Sequence, residues 1–142
     1  TDPNTPNKEF APEGWHVPTD AEWTTLEEQL IANGYDYDES TTGNKIAKAM
    51  ASTTGWSTST ELGAVGNDQS LNNSSGFNAF PEGYHSSSGS FSNEGFYAFF
   101  WSSTENSSSF AWHRYLFNNF RNLFRYYNFF KQYGFSVRFV RD

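Results

Sequence analysis

FAWHRYLFNNFRNLFRYYNFF, residues 110–130, is the stretch on which the fold turns, because nearly half of it is aromatic with Asn and Arg between the rings. At helical spacing, Phe110, His113, Phe117, Phe120, Phe124 and Tyr127 share a stripe and would make a buried helix face. Against a helix, Phe, Tyr and Asn are mediocre helix formers, and the pairs Tyr126-Tyr127 and Phe129-Phe130 put rings on adjacent faces. The reading adopted is an irregular, partly stranded segment in which Trp112, Leu116 and Leu123 point inward and the other rings outward. Each ring buries roughly 150–250 Å², so eight of them half exposed would present about 600–1000 Å², more than the ~300–600 Å² patch of an ordinary monomer. Such a surface calls for a partner.

Outward from this stretch the chain is an ordinary Ser/Gly/Asn-rich sequence. Its 142 residues suit one domain, and a core dominated by 15 Phe, 8 Tyr and 5 Trp rests on ring packing. A formal charge of −7 argues against a nucleic-acid backbone as partner, since phosphate binding needs a basic face. The absence of cysteine removes disulfides, thiolate nucleophiles and Cys-ligated zinc. No apolar run approaches the ~20 residues of a membrane span, so direct insertion is not expected. Residues 1–9, TDPNTPNKE, read as a polar linker from a missing N-terminal region, and 10–142 as the domain.

One helix is clear: it starts at Thr19 or Asp20 with the capping-box pair Thr19 and Glu22, stops at Gly34, and puts Trp23, Leu26 and Leu30 on one face. A shorter helix is expected over residues 44–51, where Ile46, Ala47 and Met50 recur at helical spacing. Residues 57–76 have long-loop chemistry, functional or mobile. Strands are expected at residues 77–80, at 96–102, and near the C-terminus, where Phe135, Val137 and Phe139 alternate with polar neighbours. Helices early and short antiparallel strands late make the class α+β.

Three stretches, APEGWHVPTDAEWTTLEEQL, GFNAFPEGYHSSSGSF and WSSTEN…FAWHRYL…KQYGFSVRFVRD, resemble the FISUMP-type (Fibrobacter succinogenes major paralogous) domain, a branch of the C-type lectin-like fold related to formylglycine-generating enzymes. That resemblance implies a C-type lectin-like fold. Such domains often carry Cys where this chain has Ala11 and Phe139, which implies that the termini lie side by side here without a covalent tie.

The segment 109–133 also resembles the variable region of proteins diversified by retroelements, in which template adenines are randomised, mostly in Asn codons. Changing the first two bases of AAC never gives Trp, Lys, Gln, Glu or Met. Phe110, His113, Tyr115, Phe117, Asn118, Asn119, Phe120, Asn122, Phe124, Tyr126, Tyr127, Asn128, Phe129, Phe130 and Tyr133 are all reachable. Trp112, Lys131 and Gln132 are not, and belong to a fixed frame with Ala111, Arg114, Leu116, Leu123, Arg125 and Gly134. The fifteen reachable positions form the expected ligand-binding set.

Trp15, Trp23, Trp56 and Trp101 read as core, His16 as a structural hydrogen-bonding residue, and His85 as solvated. His16, His85 and His113 lack metal-ligand spacing, while Asn67, Asp68 and Glu82 offer oxygens for a structural calcium ion. No cofactor is expected otherwise. No Ser/His/Asp set or phosphate loop is visible, and the cysteines of formylglycine-generating relatives are absent, so a non-enzymatic role is expected. The expectation is an extracellular recognition domain of a cell-surface protein or phage particle, with a protein or glycan receptor as partner. A fixed-sequence surface or fimbrial assembly module and a carbohydrate-binding lectin are the alternatives.

Overall fold

The computed structural model describes residues 10–142; the linker reading for 1–9 lies outside the described residues. The elements are β1 (Trp15–His16), α1 (Asp20–Ala32), α2 (Ala47–Met50), a 3-10 turn (Gln69–Leu71), β2 (Tyr84–His85), β3 (Phe91–Ser92), β4 (Tyr97–Glu105), β5 (Ala111–Phe117), β6 (Phe124–Tyr126) and β7 (Val140–Arg141). Two helices with short antiparallel sheets make a mixed α and β domain.

The first helix forms as its sequence demands. Thr19 accepts from the Glu22 amide while the Glu22 carboxylate accepts from the Thr19 amide, closing the capping box. At the far end Gly34 takes φ +76°, a left-handed turn that L side chains resist. The buried face of α1 packs Trp23 against Phe77 and Phe100, with ring centroids 5.9 and 5.7 Å away. Ile46, Ala47, Met50, Leu116 and Leu123 complete this core.

β4, β5 and β6 form one antiparallel sheet in that order, with Tyr97 opposite Phe117, Trp101 opposite His113, and Tyr115 opposite Phe124. The 110–130 segment is therefore a strand, a turn and a short strand, and the helical stripe is not formed. Strand alternation sends Ala98, Phe100, Arg114, Leu116 and Arg125 to the α1 side and Tyr97, Phe99, Trp101, His113, Tyr115, Phe117, Phe124 and Tyr126 to the other. At the opposite pole β1 pairs with β7, and Phe10 packs on Phe139 with centroids 5.7 Å apart, so the described ends of the chain adjoin.

Several expectations are corrected. The second helix covers only Ala47–Met50, because Asn44 is engaged by the β5–β6 turn and its own carbonyl accepts from the Asn122 side chain. Residues 77–80 make a single parallel bridge, Ala79 with Ala51, and no strand. In the C-terminal stretch only Val140–Arg141 is a strand, while Ser136 bridges Phe100 and Phe135 joins the ring cluster outside the sheet. Residues 57–76 are a loop that packs rather than hangs free: Ala64 and Val65 are buried, and a Cβ on Gly66 would lie 2.2 Å from the Ser57 carbonyl oxygen. Trp15 is 42% exposed, since the alternation of β1 turns His16 inward instead.

Candidate functional site

The α1 face of the sheet is held by side-chain polar bonds. Asp20 accepts from Arg114 Nη1 at 2.6 Å and, through both oxygens, from Arg125 Nε and Nη2 at 2.7–3.1 Å, tying helix, β5 and β6 together. Arg114 is fully buried, and its Nη2 also donates to Thr24. Burial alone would raise the Asp20 pKa, but the hydrogen bonds from Arg125 and Arg114 prevail and hold its carboxyl below the ordinary range. The Arg125 guanidinium lies 3.5 Å from the centroid of the Trp112 ring, itself packed on Tyr127.

The turn after β5 is stitched down chiefly by backbone. The Gly66 and Val65 amides donate to the carbonyls of Asn118 and Phe120, and the Ala47 amide donates to that of Arg121. Leu123 gives its amide to Asn44 Oδ1 at 2.9 Å and accepts from Asn44 Nδ2 at 2.7 Å. These bonds do not depend on the side chains at 120 and 121, so those two can change without loosening the turn, whereas the buried Asn118 side chain adds a bond of its own to the Ser57 carbonyl.

The opposite face of the sheet is a continuous coat of rings. Phe117 stacks on Tyr97 with centroids 4.3 Å apart and planes 5° off parallel, and Tyr115 stacks on Phe124 at 4.7 Å. Phe120 touches both Phe117 and Phe124 at 5.4 Å, closing a five-ring cluster with Tyr97 and Tyr115. A second cluster gathers Phe129 and Tyr133 over Phe99, Tyr84 and Phe135. Phe110 stacks on Phe130 at 4.7 Å.

Of the fifteen expected contact residues, Phe120, Tyr126, Tyr127 and Phe130 are 45–51% exposed, and Asn119 and Asn128 are exposed as well. Phe110, Tyr115, Phe117, Asn122, Phe124, Phe129 and Tyr133 are partly buried, mostly by one another. Two are corrected. His113 is sealed beneath Phe99, Trp101, Phe129 and Phe135, and Asn118 is buried with Nδ2 donating to the Ser57 carbonyl, so neither can touch a ligand from outside. Burial pushes the His113 pKa down to about 4 against a weaker opposing pull from the Ala111 backbone.

Among the frame residues Leu116 and Leu123 are buried, as the inward reading requires, but Trp112 is only half-buried because it lies at the margin beside Arg125 and Tyr127. The expected set missed the fixed rings Tyr97, Phe99, Trp101 and Phe135, which floor the coat. Their signal was present in YAFFWSS, where rings recur every second residue.

The histidines outside the coat differ from one another. His16 is buried with Nδ1 2.8 Å from Asp142 Oδ1 and Nε2 2.8 Å from Glu22 Oε1, in keeping with its structural reading. Burial opposes its charge, but the two carboxylates outweigh it and raise its pKa. His85 is half-buried against Phe91 rather than solvated, and its backbone bridges Gly134.

The suggested calcium oxygens are not brought together. Lys48 Nζ is buried and donates to the carbonyls of Asn67, Asp68 and Ala64, putting an ammonium where a cation would sit, whereas Glu82 accepts from Ser136 elsewhere. Among the described residues no three His, Asp or Glu side chains are grouped as a metal ion would need. No helix there is long and apolar enough to cross a membrane.

The sequence profile of the Fibrobacter succinogenes major domain matches residues 3–141. No curated protein and no solved structure matches the chain.

Proposed function

The chain belongs to the Fibrobacter succinogenes major domain family, and from that premise we propose that it is a non-enzymatic recognition domain of C-type lectin-like fold whose ring coat is a diversified paratope. The paired ends of the chain, the two early helices and the central antiparallel sheet support that fold. The domain is displayed outside the cell or on a phage particle, and its partner is a protein or glycan receptor.

One observation carries this reading: most positions reachable from Asn codons gather on the coat and the β5–β6 turn, with Tyr127 at the margin against Trp112, while Arg114, Leu116, Leu123 and Arg125 of the frame face α1. Affinity comes from the half-exposed rings Phe120, Tyr126, Tyr127 and Phe130, with Asn119 and Asn128 adding directional hydrogen bonds. At roughly 150–250 Å² per ring, these four half-exposed rings present about 300–500 Å², and the partly buried rings and the asparagines beside them add to it toward the ~800 Å² per partner of a standard interface. Rigid rings that lean on one another lose little freedom on binding.

Sequencing many copies of the gene from a growing population tests the proposal. Coding changes should concentrate at the exposed coat positions, with Trp112, Lys131 and Gln132 constant, and a near-copy of the segment with Asn codons should lie beside a reverse transcriptase. A uniform segment with neither feature would refute diversification and favour the fixed assembly module.

A further inference from the structure

The three-stranded sheet has one covered edge and one open edge. On β4, Tyr97 accepts from the Gly83 amide, Trp101 donates to the Ser136 carbonyl and Phe99 accepts from the Ser136 amide. These bonds also fix the phase of the ladder, since residues of an antiparallel strand alternate the edge to which they offer backbone groups. With Phe99 and Trp101 turned to Ser136, Ala98 and Phe100 serve β5, so His113 and Tyr115 serve β6 through Tyr126 and Phe124. Leu123 and Arg125 therefore direct their backbone groups away from the sheet.

At Leu123 those groups are satisfied by the Asn44 side-chain amide, which donates to its carbonyl and accepts from its amide as a neighbouring strand would. At Arg125 the outward N–H and C=O have no protein partner among the described residues. Beside this edge runs a shallow groove of about 510 Å³ between β6 and α1. Its apolar lining comes from Leu123, Phe124 and Ile31, and its wall carries Glu27 and Glu28. Glu28 is exposed with no ion pair among the described residues, whereas the guanidinium groups of Arg114 and Arg125 are already bound by Asp20.

We propose that the groove between α1 and the open edge of β6 is a strand-addition site for an extended peptide carrying Lys or Arg side chains. The peptide continues the track that Asn44 begins, pairing with Arg125 and lengthening the sheet by one strand. Its alternate side chains point to the helix side, where Glu28 favours a cation beside Glu27, which is already held by Asn44 and Arg114, and to the coat side over Phe124 and Tyr126. This site adjoins the coat at Phe124 and Tyr126 but does not depend on receptor binding there.

The probe is a blocked heptapeptide alternating Thr and Lys, titrated into isotope-labelled domain and followed by backbone amide resonances. Expected are shifts centred on residues 123–127 and on Glu27 and Glu28, with affinity at least tenfold weaker when alternate peptide nitrogens are methylated. Glu28→Gln should weaken binding several-fold, while Glu94→Gln, which neutralises an exposed carboxylate outside the groove, should leave it unchanged. Equal affinity for the methylated peptide, or shifts confined to the coat, would overturn the proposal. So would a concentration-dependent dimer protecting the Arg125 amide without peptide, which would make a second copy of the chain the occupant.

Discussion

The two faces of the β4–β5–β6 sheet solve opposite problems with the same strands. Toward α1, neighbouring positions carry Arg114, Leu116 and Arg125, each committed to fixed partners: the Asp20 carboxylate shared by two arginines, with Thr24 also bound by Arg114, or a core packed around Trp23 and Phe100. Away from α1, rings touch other rings, and four of them, Phe120, Tyr126, Tyr127 and Phe130, are about half exposed at the rim. A ring stacked on a ring can be exchanged for another at a cost of about 0.5–1.5 kcal/mol, whereas a buried charge stripped of its partner has no substitute. Tolerance to change thus follows the chemistry of the contacts more than burial alone.

Removing Asp20 attacks that asymmetry where it is greatest. Asp20→Ala leaves Arg114 fully buried with its principal acceptor gone, and should cost about 3–5 kcal/mol in urea unfolding. A loss below about 1 kcal/mol would mean that the clamp is not what holds the frame.

The buried histidines extend the comparison to pH. His113, under the coat, is held neutral with a pKa of about 4, so the unfolded chain takes up its proton first as pH falls below ~6.5. Stability should therefore decline between about pH 6.5 and 4, by at most about 3 kcal/mol. His16, in the frame, has a raised pKa: its contribution is complete below ~6.5 and is lost as pH climbs through the folded value. Together they place a maximum near pH ~6.5. In His113→Leu the acid limb of a pH series of thermal melts should flatten while the alkaline limb stays; an unchanged acid limb would show that His113 is not its source.

Much of this division was readable from residues. The capping box at Thr19 and the buried stripe of α1 are local patterns, and local patterns survive folding. The proposed exchangeable set is drawn apart from Trp112, Lys131 and Gln132 by codon chemistry alone. What stayed hidden depended on distant contacts. His113 and Asn118 obey the same codon rule as Phe120, yet Phe135 roofs one and Ser57 binds the other. The Asp20 clamp joins residues 94 and 105 positions apart, a pairing no sequence spacing announces. The C-terminal alternation of Phe135, Val137 and Phe139 suggested a strand, but only a single bridge at Ser136 forms there because the Phe135 ring is drawn onto Trp101 and Phe99.

Asn118 and Asn119 sharpen the contrast at the scale of adjacent residues. Asn118 is 2% exposed and donates to the Ser57 carbonyl at 3.2 Å, while Asn119 stands in solvent. Asn118→Ala should cost about 1 kcal/mol and Asn119→Ala less than ~0.5 kcal/mol in chemical denaturation. Equal effects would erase the distinction between buried and displayed asparagines of the β5–β6 turn.

The smallest effect on stability belongs to the outermost rings. Tyr126 and Phe130 are about half exposed, and their ring contacts are to Tyr127 at 6.1 Å and to Phe110 at 4.7 Å. Replacing both with Leu weakens two partial stackings but keeps most of the apolar contact, and the backbone bridge between Phe110 and Phe130 does not require the side chain. The pair should therefore lower stability by no more than about 1 kcal/mol, a few degrees in Tm for a domain of this size. A drop comparable to that of Asp20→Ala would show that the rim rings support the fold as the frame does, and the coat would then be a second core rather than a surface free to vary.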